Sequence, residues 1–118
     1  MAPKRRRLSR SAEFERVYRQ GRSKANRYLV LYAFPREEDS TDEEGPRLGL
    51  SVSRKVGGAV ERNRVKRCLR EAFWTEAERL PAGSDYVAVA RPDLLEVAER
   101  DGVPGVQRAL AELVDQLT

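Results

Sequence analysis

Residues 28–34, "YLVLYAF", form an apolar run of β-branched and aromatic character that stops at Pro35. The run predicts a strand. Side chains alternate along a strand, so Tyr28, Val30, Tyr32 and Phe34 share one face and Leu29, Leu31 and Ala33 the other. Both faces are apolar, so the strand is expected to be covered on both sides. Residues 22–27 before it read as extended chain. "RLGLSVSR" predicts a second half-buried strand, with Leu48, Leu50 and Val52 on one side, and "YVAVA" a short buried one. Between these two the apolar period changes from two to 3.6 residues. Val65, Leu69, Ala72 and Phe73 form one stripe, extended by Ala77 and Leu80, which predicts a helix from about Ala59 to Leu80. "KVGGAV" is the turn into it and "PAGSD" breaks it. The other side of this helix carries Asn63, Lys66, Arg67 and Arg70, with Arg64 on the flank and Trp74 on the polar side. A shorter helix is predicted from Ser11 to Gln20, where Ser11 caps, Gly21 terminates, and Phe14, Val17 and Tyr18 share a face. After "RPD" a C-terminal helical region breaks at "DGVPG". Beyond the break, Val106, Leu110, Leu113, Val114 and Leu117 fall on one face.

The predicted order is α-β-β-β-α-β-α. Strand, helix, strand around the long helix implies a crossover between parallel strands. The expected fold class is α+β: a two-layer α/β sandwich, a mixed four-stranded sheet with helices packed on it. A chain of 118 residues supports one core of this kind. Residues 1–10 read as a flexible basic arm and residues 11–118 as a single α/β domain. "REEDSTDEEGP" reads as an acidic loop of hairpin type.

Charge changes this picture. The net charge of +4 hides a strong asymmetry. Residues 1–30 hold ten Lys or Arg against two acids, and residues 51–70 seven against one. Residues 31–50 hold two against six, and residues 71–118 four against ten. The molecule is thus expected to be bipolar, with one face for polyanions and one that stays solvated. Arg outnumbers Lys by 19 to 4. Guanidinium forks match phosphate geometry, although a G- and C-rich genome gives the same bias.

Chemistry of the chain's own is hard to find. There is no histidine, the commonest general base near neutral pH and the commonest metal ligand. Cys68 is the single cysteine, which leaves no internal disulfide and no cysteine cluster; its apolar neighbours make it a small packing residue. No Ser or Cys stands in a nucleophile motif, and no phosphate-cradling loop signature is present. "VGG" reads as a strand-to-helix turn, with a phosphate at the helix N-terminus as the minor reading. "EEDSTDEE" is a solvated charge run, not a convergent set of carboxylates for two-metal hydrolysis. The expected catalytic set is therefore empty, and no apolar run is long enough to cross a membrane.

A cationic helix face, a basic arm and nearby aromatics form an RNA-binding set. Lys and Arg neutralise phosphates and release counterions. Phe14, Tyr18 and Tyr32 could stack on unpaired bases or pack in the core. Duplex DNA is the competitor, since a helix presenting Arg and Asn can enter a major groove, but no helix-turn-helix or finger signature accompanies it.

"ERNRVKRCLREAF", preceded by "GLSVSRKVGGAV", resembles the Arg-Asn-Arg signature helix of the bacterial ribonuclease P protein subunit, with Arg62, Asn63 and Arg64 as the triplet. The resemblance extends upstream to "FERVYRQGRSKANRYLVLYAF" and downstream to "DYVAVARP", roughly residues 8–92. It implies a subunit of an RNA-dependent endonuclease. A catalytic RNA removes the 5′ leader of precursor tRNA with magnesium, and the protein binds that RNA and the leader. It further implies that Arg62, Asn63, Arg64, Lys66, Arg67 and Arg70 contact the catalytic RNA, with Arg54 and Lys55 nearby. Phe14, Tyr18 and Tyr32 become leader-stacking candidates in a cleft beside the sheet. A left-handed crossover, against the usual rule, is also implied. A cytoplasmic location and no obligatory protein partner are expected. The sequence departs from the family at Gly58, where a basic or polar residue is common, and carries an acid, Glu61, directly before the triplet. The alternative reading is a non-catalytic, ribosomal-type RNA-binding protein.

Overall fold

The computed structural model describes residues 6–7, 22–35, 46–80 and 84–117. The elements are β1 (Arg6–Arg7), β2 (Arg22–Ala25), β3 (Leu29–Pro35), β4 (Arg47–Ser51), α1 (Ala59–Glu76), β5 (Ser84–Ala90) and α2 (Asp93–Leu117). A 3-10 turn over Ala77–Arg79 continues α1, so the predicted helix to Leu80 is an α-helix that tightens in its last turn. The expected first helix, with Phe14 and Tyr18, and the acidic loop at 37–44 lie outside the described residues, as does the basic arm except for Arg6–Arg7.

The sheet runs β1-β4-β5-β3-β2. β4 and β5 are parallel, as the crossover through α1 requires. β3 is antiparallel to both β5 and β2. This is the expected mixed sheet of four strands, with the two-residue β1 added parallel to β4. The reading of "REEDSTDEEGP" as a hairpin loop is corrected. β5 lies between β3 and β4, so the segment joining them spans a strand instead of closing a pair. The tight turn is instead at Asn26–Tyr28, between β2 and β3. Asn26 Oδ1 accepts from the backbone N–H groups of Tyr28 and Leu29 at 2.9 and 3.0 Å, and this side-chain mimic of a turn reverses the chain.

α1 and α2 pack on one face of the sheet. Leu29, Leu31, Ala33, Leu48, Tyr86, Ala88 and Ala90 rise from the strands to meet Val65, Cys68, Leu69, Ala72 and Phe73 of α1. Leu94, Val106, Leu110, Leu113 and Val114 of α2 complete this core. Each of these side chains is buried, which for a Leu or Phe contributes roughly 1.5–3 kcal/mol. The predicted stripes of both helices are therefore the observed contact faces. The predicted break in the C-terminal region is a kink at Gly102, with φ 62° and ψ −149°, a conformation open to glycine alone. Gly105 lets the two helical segments close up: a Cβ there would stand 2.5 Å from Cβ of Asp101.

The other sheet face is distinct. Val87 is fully buried there, with Tyr32, Phe34 and Val89 partly buried around it. The expectation that β3 is covered on both sides thus holds fully for Leu29, Leu31 and Ala33 and in part for Val30, Tyr32 and Phe34.

Candidate nucleic-acid interface

The turn between β4 and α1 places two of the candidate cations. Ser53 accepts twice: its carbonyl from the N–H of Val56 at 3.0 Å and its Oγ from the N–H of Lys55 at 3.3 Å. Val56 is thereby drawn into the core and Arg54 and Lys55 are left exposed. Gly57 then permits a close approach, because a Cβ there would stand 2.8 Å from Cβ of Glu61. Gly58 caps α1 without a side-chain bond to the helix N-terminus.

Along α1, Asn63, Arg64, Arg67 and Arg70 are exposed, and Arg62 and Lys66 are half-buried. Asn63, Arg67 and Arg70 follow one another at four and three residues, a single outward ridge. Lys66 borders it on one side and Arg64 on the other. The structure therefore brings the predicted helical residues together on one surface and sets Arg54 and Lys55 at its entrance.

Two members are engaged within the protein. Arg62 Nε donates to the carbonyl of Gly58 at 3.4 Å. Arg64 Nη1 donates to Glu99 Oε2 of α2 at 3.1 Å. Among the described residues, Arg54, Lys55, Lys66, Arg67 and Arg70 form no ion pair with a carboxylate. This arrangement opposes helix stability. The N-terminal end of a helix carries partial positive charge and favours acids, whereas α1 has Glu61 alone in its first turn and no base in its last. α1 is held by its buried stripe; the dipole bears on Arg62 near its N-terminus, while Lys66, Arg67 and Arg70 lie mid-helix and repel one another at three- and four-residue spacing.

Cys68 lies on the inner side of α1 and is buried. Burial pushes its thiol above the ordinary cysteine value; Arg67 and Arg64 pull against this, and Glu71 adds to it. It is a packing residue. Trp74 corrects the polar-side expectation: it is half-buried, with its ring edge-on to Phe73 at 4.8 Å between centroids. The aromatic body of Trp74 covers the rim of the core at the C-terminal end of the Arg67–Arg70 ridge.

Tyr32 does not join these cations. It lies on the sheet face opposite α1, half-buried beside Phe34, Val87 and Val89. Phe34 was absent from the predicted set although strand alternation puts it on the face of Tyr32. Glu99 was also absent, and nothing local in the sequence ties it to Arg64, 35 residues away. The described residues gather no group of three or more His, Cys, Asp or Glu able to hold a metal.

The family Ribonuclease P matches residues 2–116. The chain belongs to the ribonuclease P protein family. The ribonuclease P protein component of Bacillus pumilus is 44% identical over 88 residues, which span 75% of this chain and 71% of that protein. Among solved structures, the RNase P protein of Staphylococcus aureus is similar with a TM-score of 0.79 at 31% identity, covering 95% of this chain and 94% of that one. The RNase P protein of Thermotoga maritima is similar with the same TM-score at 32% identity, covering 95% of this chain and 97% of that one. The described elements thus share the fold of these ribonuclease P proteins, and the Arg62-Asn63-Arg64 triplet stands in the first turns of the crossover helix. Among the described residues, no helix is long and apolar enough to cross a membrane.

Proposed function

We propose that this chain is the protein subunit of a ribonuclease P that matures tRNA 5′ ends, and that it binds the catalytic RNA through α1. The observation that carries this reading is the outward ridge of α1. Its cations lack carboxylate partners among the described residues and repel one another at three- and four-residue spacing, so an external polyanion is what compensates them. Each phosphate neutralised releases counterions, so binding weakens steeply with salt. Arg67 and Arg70 offer guanidinium forks, Lys66 a point charge, and Asn63 an amide that both donates and accepts. The face of Tyr32 and Phe34 takes the 5′ leader of precursor tRNA, with the aromatic rings as the groups on which unpaired bases stack. Phe14 and Tyr18 belong to the same proposal from the family resemblance.

The protein's part in this reading is to bind and orient RNA. Hydrolysis of the leader phosphodiester, with magnesium, belongs to the RNA subunit. The cell compartment is the cytoplasm, and no further protein is required.

The test is cleavage of a precursor tRNA by a bacterial ribonuclease P RNA at low magnesium, with and without this protein. Rescue of cleavage is expected. Tight binding of the RNA without rescue, with the cognate RNA as well, would overturn the proposal in favour of a non-catalytic, ribosomal-type RNA-binding protein.

A further inference from the structure

Among the described residues, Arg64 is the signature cation that meets a carboxylate across the helix interface. The contact follows from how α1 and α2 pack. Gly57, at the entrance to α1, lies against Leu95 of α2: a Cβ on it would stand 3.4 Å from Leu95 Cδ2. Glu99 follows Leu95 by one turn of α2, and Arg64 lies two turns of α1 beyond Gly57. The packing of α1 against α2 thus brings Glu99 to Arg64, where Nη1 and Oε2 are 3.1 Å apart. Both side chains are close to half exposed, 42% and 48%. Glu99 thus stands at the edge of the cationic ridge, where incoming phosphates would be its neighbours.

We propose that Glu99 is a positioning residue that restrains RNA binding through Arg64, which is engaged until a phosphate displaces the carboxylate. The inference rests on α1 being an RNA-binding surface. Its physical content is an exchange. A guanidinium leaves one anion for another, and the released carboxylate remains near the new phosphate and takes up a cation. Arg64 then contributes less affinity and a shallower salt dependence than the unpaired Arg67 and Arg70. The acid limits non-specific attachment of an otherwise strongly basic helix.

The experiment measures binding of the full chain to a bacterial ribonuclease P RNA over a range of salt concentrations. The variants are Glu99→Gln, Arg64→Ala, the double variant, and Glu112→Gln. The last makes the same charge change at an exposed position of α2 that forms no ion pair among the described residues. Glu99→Gln is expected to tighten binding about two- to fivefold at low salt, the range of an exposed ion pair. It should also steepen the log–log salt slope by up to about one. Both changes should vanish in the Arg64→Ala background and be absent in Glu112→Gln. Unchanged or weaker binding by Glu99→Gln would overturn the proposal, as would an equal gain in Glu112→Gln or in the Arg64→Ala background. Arg64→Ala alone reports on the premise: if it binds as the parent does, α1 is not read at that residue, whatever Glu99 does. Thermal melts of all four keep folding effects separate.

Discussion

Arg47 and Asp85 stand opposite one another on the parallel strands β4 and β5, and the guanidinium grips the carboxylate with two bonds. Nε donates to Oδ1 at 2.8 Å and Nη2 to Oδ2 at 2.7 Å. The Asp85 side chain is fully buried, and that of Arg47 is 16% exposed. A buried pair of this kind contributes little over an apolar pair, but removing one half takes the countercharge from a buried ion. Arg47→Met is therefore expected to lower stability by about 3–5 kcal/mol in urea unfolding. The double variant Arg47→Met/Asp85→Leu should recover a large part of that loss. If the single and double variants lose equally, the pair is not what makes Arg47 necessary.

Asn26 joins three elements. Its Oδ1 closes the β2–β3 turn, and its Nδ2 donates to the carbonyl of Ala109 in α2 at 2.9 Å. Arg91, after β5, adds to the joint through Nη1 on the Asn26 carbonyl at 2.8 Å. Asn26→Ala removes three bonds from a half-buried site, and a loss of about 2–3 kcal/mol is expected. Asn26→Asp keeps the acceptor for the turn and loses the donor to α2, so it should fall between Ala and the parent. Equilibrium unfolding of the three proteins gives the order directly.

At the α2 kink the two glycines differ in kind. Gly102 is needed for its backbone, since φ 62° with ψ −149° strains any residue with a Cβ. Gly102→Ala should cost about 1–3 kcal/mol. Gly105 is needed for space. Its Cβ would meet Asp101 Cβ at 2.5 Å and Val97 Cγ1 at 3.0 Å, so Gly105→Ala must push the two segments of α2 apart. The melting temperature should drop in both variants. Larger residues should worsen the Gly105 defect steeply and the Gly102 defect little.

The buried thiol of Cys68 gives a pH prediction. Burial raises its folded-state value, so the folded protein holds this proton more tightly than the unfolded chain does. Its contribution to stability is fully present below the unfolded value. As pH rises between the unfolded and folded values, the unfolded chain alone loses the proton, and stability falls. Alkylation by iodoacetamide should be slow in native buffer at pH 8 and fast in urea. Rapid native alkylation would show that Cys68 is not held in the core.

Periodicity carried much of this fold. The α1 stripe of Val65, Leu69, Ala72 and Phe73 is visible as spacing because each lies within one helix. The same spacing exposes the outward cations, so the candidate interface on α1 was legible before any coordinates. Lateral strand order was not, because inserting β5 between β3 and β4 depends on pairing partners 38 to 61 residues apart and leaves no local mark. The Arg47–Asp85 pair and the Arg64–Glu99 contact are hidden for the same reason. Trp74 fell on the polar side by angle, yet a ring of that size reaches back over Phe73 and covers core. Tyr32 was placed correctly on a face, but only the packed sheet shows that α1 lies on the other side.

Arg67 and Arg70 offer the cleanest separation of binding from folding. Both are exposed, three residues apart on the outward ridge, and carry no part of the buried stripe. Replacing both by Ala removes two cations from an RNA surface and relieves like-charge repulsion along α1. Stability should therefore hold or rise by a few tenths of a kcal/mol. Affinity for ribonuclease P RNA should fall, and the slope of log K against log[salt] should flatten by about 1.4–1.8, two phosphates' worth. Arg62→Ala should flatten it less, because its guanidinium already leans on the carbonyl of Gly58. An unchanged slope in the double variant, with the fold intact, would place the RNA on another surface. The face of Tyr32 and Phe34 would then be the next to test by Tyr32→Ala.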